Sequence, residues 1–201
     1  MAPRPALPID TLLDEAVQVV RAGKDLVVEA APGAGKTTRL PAALLDAVGG
    51  AILVAEPRRL AARLPATYVA HERGQRLGQE VGYQVRFEGA TSKETRLCFV
   101  TEGLLLRRFL EDRSLAGVDV VVLDEFHERH LTGDVLLACL RALQRTTRPD
   151  LRIVVMSATL DAAREASFLG DCPRLTSHGR TFEVALAHQD YPDDRPLDKQ
   201  V

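Results

Sequence analysis

Cysteine is scarce: Cys98, Cys139 and Cys172 stand singly in 201 residues. That excludes paired metal-ligand spacing and a disulfide framework. They read as small buried apolar residues, with Cys172 alternatively a loop thiol, in a reducing compartment. No run of about 18 apolar residues occurs, which excludes a membrane-spanning helix. The Pro-rich start MAPRPALPID lacks the apolar core of a signal peptide, so a cytoplasmic protein is expected. An excess of either charge is also missing. With 26 basic and 28 acidic residues the formal net charge is −2, so any pull toward nucleic acid must be local. There is no internal repeat and no low-complexity segment. What remains, 46% hydrophobic and 27% charged residues, suits a soluble globular domain, or a domain plus a tail.

What is present is an alternation. Residues 1–8 read as flexible. Thr11 and Asp14 have capping-box spacing ahead of a helix that Gly23 ends. Apolar runs at residues 25–30, 51–55, 81–88, 96–101, 118–123 and 151–156 read as strands, with 182–187 as a last one. Helical patterns fill residues 38–48, 101–110, 131–143 and 161–169. Another follows EPRR to about residue 73, with Pro57 in its first turn and Pro65 as a kink. GATSKET reads as a polar turn between two strands. The run VDVVVL has the continuity of a strand buried on both faces. Strands alternating with helices predict an α/β fold, a mostly parallel sheet covered on both faces.

The chemistry begins with AAPGAGKTTR, a Gly-rich turn between an apolar strand and a helix. Pro32, Gly33, Ala34 and Gly35 form a turn whose backbone N–H groups can cradle anionic oxygens at a helix N-terminus. Lys36 adds a point charge for phosphates, Thr37 a hydroxyl suited to Mg²⁺, and Thr38 begins the helix. Ala30 occupies the first glycine's place in G-x-x-x-x-G-K-[ST]. The loop predicts binding of a nucleoside triphosphate.

In open parallel sheets ligands bind beyond the carboxyl ends of the strands. EPRR, DEFHERH and SAT each follow an apolar run at that end, as the Gly-rich loop does. Asp124 is placed to anchor Mg²⁺, and Glu125 to polarise the water that attacks a γ-phosphate. His127 and His130 are three residues apart, not the four of a zinc H-E-x-x-H helix. Ser157 and Thr159 place hydroxyls beside the carboxylates, or cap a helix. Arg58, Arg59, Arg63, Arg107 and Arg108 fall near the same rim, with Thr101 a neutral phosphate-contact candidate.

Taken in order, AAPGAGKTT, EPRRLAAR, GYQVRFE, TEGLLLRR, DEFHERH and SAT resemble superfamily 2 helicases of the DEAH/RHA group, most of all the bacterial HrpB type. LPID near the start, DEFH in place of DEAH and SHGRTFEV after SAT favour that subgroup. The resemblance covers about residues 7–187, and the family carries alanine or glycine where Ala30 stands. It implies a RecA-like P-loop domain over residues 1–189. Residues 190–201 are then a linker toward a second RecA-like domain that this sequence does not contain. It further implies ATP and Mg²⁺ as cofactors, with Lys36, Thr37 and Asp124 on phosphate and metal and Glu125 as the catalytic carboxylate. His127, Ser157 and Thr159 would couple nucleotide state to the second domain. Arg58, Arg59, Thr101 and the turn at Arg86 would touch single-stranded nucleic acid, RNA rather than DNA. Tyr68 stands where many members carry an arginine that stacks on adenine; a tyrosine can stack too, or simply pack.

These motors take arginine fingers from the second domain. A monomer that binds ATP–Mg²⁺ weakly, hydrolyses it slowly at best and does not unwind duplexes alone is therefore expected. A nucleotide-dependent binding module and a DNA translocase domain are the alternative functions.

Overall fold

The computed structural model describes residues 5–158 and 162–177. A 3₁₀ turn, Pro8–Leu12, leads into α1 (Leu13–Arg21), β1 (Leu26–Ala30), α2 (Lys36–Leu45), β2 (Ala51–Glu56) and α3 (Arg59–Glu72). A short hairpin follows, β3 (Val81–Val85) and β4 (Glu88–Ala90), then β5 (Leu97–Thr101), α4 (Glu102–Glu111) and β6 (Val118–Leu123). The chain continues as a 3₁₀ turn Phe126–Glu128, α5 (Leu131–Thr146), β7 (Arg152–Ser157), α6 (Ala162–Phe168) and β8 (Arg174–Ser177).

The strands form one sheet in the order β4-β3-β5-β2-β6-β7-β1-β8, parallel throughout except for the β3–β4 hairpin. Register explains why the runs place apolar residues on both faces. Leu26, Val154, Val122, Val54, Phe99 and Tyr83 lie side by side across the sheet. That row packs with Ala16, Leu40, Leu44, Ala62 and Val69 of α1–α3. One residue further along, Val27, Val155, Leu123, Ala55 and Val100 form the next row and pack against Leu105, Leu136 and Leu140 of α4 and α5. Both faces are thus buried, and each fully buried Val or Leu contributes about 1.5–3 kcal/mol.

Several local expectations are corrected. Residues 5–8 are not loose: Leu7 packs on the core, and Arg39 donates to the Pro5 carbonyl. The capping interaction is made by Asp10, which accepts the Leu7 N–H at 2.8 Å, while the Thr11 hydroxyl donates to the Pro8 carbonyl. Pro57 precedes α3 rather than opening it, and α3 runs through Pro65 without interruption. Residues 81–88 divide into β3 and a turn at Phe87, and part of GATSKET becomes β4. The edge strand β8 was not anticipated. The expected strand at 182–187, the linker at 190–201 and Thr159 lie outside the described residues. No described helix is long and apolar enough to cross a membrane.

Candidate nucleotide and nucleic-acid site

The Gly-rich loop joins β1 to α2 at the carboxyl edge of the sheet. Gly33 and Gly35 take φ of 78° and 90°, the left-handed region in which a side chain is costly. Helix α2 begins at Lys36, two residues earlier than its apolar pattern indicates, so Lys36 and Thr37 form its first turn. The first N–H groups of a helix have no intrahelical acceptor and carry partial positive charge. The LPID segment supports the loop from beneath: the Ile9 N–H donates to the Ala34 carbonyl at 3.1 Å. Thr38 turns its hydroxyl back to the Gly35 carbonyl, and Pro32 remains exposed.

β6 brings the acidic partners. Lys36, 4% exposed, places Nζ 2.9 Å from Glu125 Oε1, and the Thr37 hydroxyl donates to Asp124 Oδ2. Asp124 Oδ1 accepts the N–H of Glu125 at 2.7 Å. Burial pushes the Asp124 carboxyl up to about 6, and Glu125 adds to this, while the Thr37 hydroxyl and Lys36 oppose it. Glu125 sits at φ 48°, a conformation that costs a non-glycine residue about 1–3 kcal/mol and is characteristic of functional sites.

A third carboxyl, absent from the sequence reading, completes the cluster. Glu56 ends β2 and is 1% exposed. Burial, then the charges of Asp124 and Glu125, hold it well above the usual carboxylate range, and Oε1 has no hydrogen-bond partner. Its signal was the pattern itself, AILVA followed by an acid, which parallels VVVL followed by Asp124. Three carboxyls and a hydroxyl are hard oxygen donors of the kind Mg²⁺ takes. Among the described residues no three His, Cys, Asp or Glu form a metal cage. Such oxygen donors suit an ion that keeps water and phosphate oxygens in its shell.

His127 Nδ1 accepts the Ala158 N–H at 3.2 Å, just beyond Ser157 at the end of β7, and lies 3.4 Å from Glu125 Oε2. His130 turns elsewhere, toward Glu102 and Glu128. Tyr68 is 44% exposed on α3 and donates to Glu72 Oε1 at 2.9 Å, so it is not a packed core residue.

The arginines divide. Arg58 caps α3 and donates to both oxygens of Glu128 at 2.8 Å, which ties EPRR to DEFHERH. Arg59 and Arg63 reach Glu88 at 3.4 and 3.1 Å. Thr101 caps α4 without using its side chain for the cap. Arg86 is exposed at the hairpin tip. Arg107 pairs along its own helix with Glu111. Arg108 leaves the rim: it bonds Gln84 and lines a cavity of about 410 Å³ with Cys98 and Asp112.

Comparison with known proteins accords with this arrangement. The family model for DEAD/DEAH box helicase matches residues 13–167. The chain is 38% identical over 203 residues to the probable ATP-dependent RNA helicase DHR2 of Saccharomyces cerevisiae, covering 98% of this chain and 28% of that protein. It is 43% identical over 188 residues to the DExH-box ATP-dependent RNA helicase DExH3 of Arabidopsis thaliana (90% and 16%). It is 39% identical over 198 residues to the ATP-dependent RNA helicase HrpB of Escherichia coli (98% and 24%). The crystal structure of Escherichia coli DEAH/RHA helicase HrpB superposes with a TM-score of 0.85 at 40% identity, covering 96% of this chain and 25% of that one. The chain thus spans little more than a quarter of these relatives at most. Its matched residues, its sheet and its loop place it together with them: the chain belongs to the DEAD/DEAH box helicase family.

Proposed function

We propose that this chain is the ATP-binding motor domain of an ATP-dependent RNA helicase, in which ATP hydrolysis drives movement along single-stranded RNA. The observation that carries the reading is the pairing of the loop with the end of β6, Lys36 on Glu125 and Thr37 on Asp124. The relatives' names, each an ATP-dependent RNA helicase, support the substrate and favour RNA over DNA.

In this reading the N–H groups of the loop and of the first turn of α2 hold the triphosphate, and Lys36 meets its terminal phosphates. Thr37 and Asp124 hold Mg²⁺, which supplies charge neutralisation and polarises the phosphoryl oxygens when bound. An incoming triphosphate competes with Glu125 for Lys36. Glu125, released, orients the attacking water and takes its proton. Tyr68, exposed on α3 and linked to α2 through Glu72 and Arg39, is assigned to the base. Arg58, Arg59, Arg86 and Thr101 are assigned to the RNA strand. A second RecA-like domain, in keeping with the greater length of the relatives, completes the groove and supplies arginine fingers.

The test is ATP turnover by the 201-residue protein with and without single-stranded RNA, beside nucleotide binding. Glu125→Gln keeps nucleotide binding and loses turnover by at least about 100-fold, the range of a lost general base. Lys36→Ala loses binding as well. An unchanged rate in Glu125→Gln refutes the assigned role, and a chain that binds no nucleotide refutes the reading.

A further inference from the structure

We propose that the cavity beneath the C-terminal half of α4 binds a small organic carboxylate with an apolar body, anchored on Arg108. The site lies at the amino end of the parallel strands, opposite the Gly-rich loop. It is independent of the nucleotide and nucleic-acid readings.

At about 410 Å³ the cavity is of the size that holds small molecules. Its floor is the start of three strands: Ala51 and Leu53 of β2, Cys98 of β5 and Val118 of β6. Leu115, from the loop before β6, adds to it. In a core where Ile52, Val54, Phe99 and Val120 are fully buried, Leu53, Cys98 and Leu115 each keep 5% exposed and Val118 8%. These side chains line the cavity and offer an apolar bed for the body of a ligand.

The polar wall has a surplus of donors. Arg108, half-buried, bonds the neutral amide oxygen of Gln84, and among the described residues no carboxylate lies within ion-pair reach of it. The Cys98 thiol supplies no negative charge: burial pushes it up to about 11, against the opposing pull of Arg108. The carbonyls of the wall are already taken. Arg148 donates to Ser114 at 2.6 Å, to Leu115 at 2.8 Å and to Val118 at 2.7 Å. Asp112 spends its oxygens on the N–H groups of Ser114 and Ala116 and on the Ser114 hydroxyl. Glu111 pairs with Arg107 and is 62% exposed. Ser92 accepts the Glu94 N–H at 3.2 Å and keeps a proton to donate. What remains for a ligand is a guanidinium with a neutral partner, flanked by a hydroxyl. A carboxylate in place of the Gln84 oxygen gives Arg108 a charged, two-oxygen acceptor, and such bonds are about twice as strong as neutral ones. An amine drawn to Asp112 and Glu111 is the competing occupant.

The experiment titrates 4-fluorobenzoate, 4-fluorobenzyl alcohol and 4-fluorobenzylamine into the 201-residue protein and follows its methyl groups by NMR. Benzoate is expected to bind with a Kd of about 10 mM or tighter, the weak end for a ligand of its size. It shifts the methyls of Leu53, Leu115 and Val118 and leaves those of Ile9, beneath the Gly-rich loop, in place. The alcohol and the amine bind at least about 10-fold more weakly. Arg108→Gln weakens benzoate about 10- to 150-fold, as expected for a lost hydrogen bond to a charged group, and leaves the alcohol unchanged. Ala116→Trp, at an exposed position on the cavity's edge, weakens benzoate without altering Arg108. Equal binding of benzoate and alcohol by the wild type removes Arg108 as the anchor and overturns the proposal, whether or not Arg108→Gln folds. Tighter binding of the amine overturns it in favour of a cation. Shifts at Ile9 without shifts at Leu53, Leu115 and Val118, or no saturation by benzoate, overturn it as well.

Discussion

Replacing Glu72 by leucine is expected to destabilise the domain by about 3 kcal/mol, through a charge it leaves behind. Arg39 lies in the first turns of α2, three residues after Lys36, and is 2% exposed. Its Nη1 meets Glu72 Oε2 at 3.3 Å and its Nη2 donates to the Pro5 carbonyl at 3.2 Å. Nε has no hydrogen bond, because Asp10 Oδ1 at 3.8 Å is within ion-pair but not hydrogen-bond reach. Removing one partner of a buried pair costs about 3–5 kcal/mol, chiefly for the uncompensated ion. Asp10, a third exposed, keeps part of the compensation, which sets the estimate at the low end of that range. For a chain of this size that is a fall in Tm of about 6–12 °C. Urea unfolding read by circular dichroism gives the free energy, and the loss persists at about 1 M salt because the pair is buried. The double variant Arg39→Met/Glu72→Leu removes the ion itself and recovers about 2–3 kcal/mol relative to Glu72→Leu. A loss below about 1 kcal/mol in Glu72→Leu, or no recovery in the double variant, would refute the reasoning.

Two further perturbations probe the loop and the rim of the fold. Gly35→Ala puts a Cβ 2.5 Å from Leu7 Cδ1 at φ 90°; the leucine tip can move but the backbone strain of about 1–2 kcal/mol remains. Weaker binding of a fluorescent nucleotide and a lower urea midpoint are expected, and an unchanged nucleotide affinity would show that the nest does not depend on this residue. Asp46→Asn concerns pH: the Arg73 hydrogen bond holds the Asp46 carboxyl below its usual range, so its contribution is present above about pH 4 and is lost as pH falls through the lowered value. With the Asp46 side chain 64% exposed that contribution stays under about 1 kcal/mol, and wild type and variant stabilities should converge in acid; a gap that widens there contradicts it.

How much of this was legible in the sequence depended on burial. The central strands announced themselves because both of their faces are covered, so VDVVVL and LRIVVM are interrupted only by Asp119 and Arg152 near their starts. β4 and β8, the two edges of the sheet, are three and four residues long and keep alternate or most residues exposed, too little pattern to separate from loop. That Lys36, Thr37, Asp124 and Glu125 come together was legible because each follows a buried strand at the same edge of the sheet. Glu56 was not, because it was read as the prefix of two arginines rather than as an acid ending a buried strand. Glu88 and Glu128 were not either. Their arginine partners lie 29 and 70 residues away, and only the sheet order brings them together. Arg58, Arg59 and Arg63 are thus each matched by a carboxylate that no local spacing indicates.

That matching bears on how the two ends of the rim communicate. The 3₁₀ turn Phe126–Glu128 is bracketed by Glu125 and Arg129, at φ 48° and 50°. Both are left-handed conformations that persist only where surrounding contacts over-determine them. On one side the turn is held by His127 against the end of β7, and on the other by Glu128 against Arg58. On the proposed reading a triphosphate draws Lys36 from Glu125 on the first side. An RNA phosphate draws Arg58 from Glu128 on the second. Both ligands therefore exchange partners with the same four-residue segment, and each alters the constraint under which the other binds. Linkage makes that effect reciprocal: whatever factor RNA contributes to ATP affinity through this turn, ATP must return to RNA. On that reading, a short strained turn with a carboxylate at each end offers a route for such coupling within this domain.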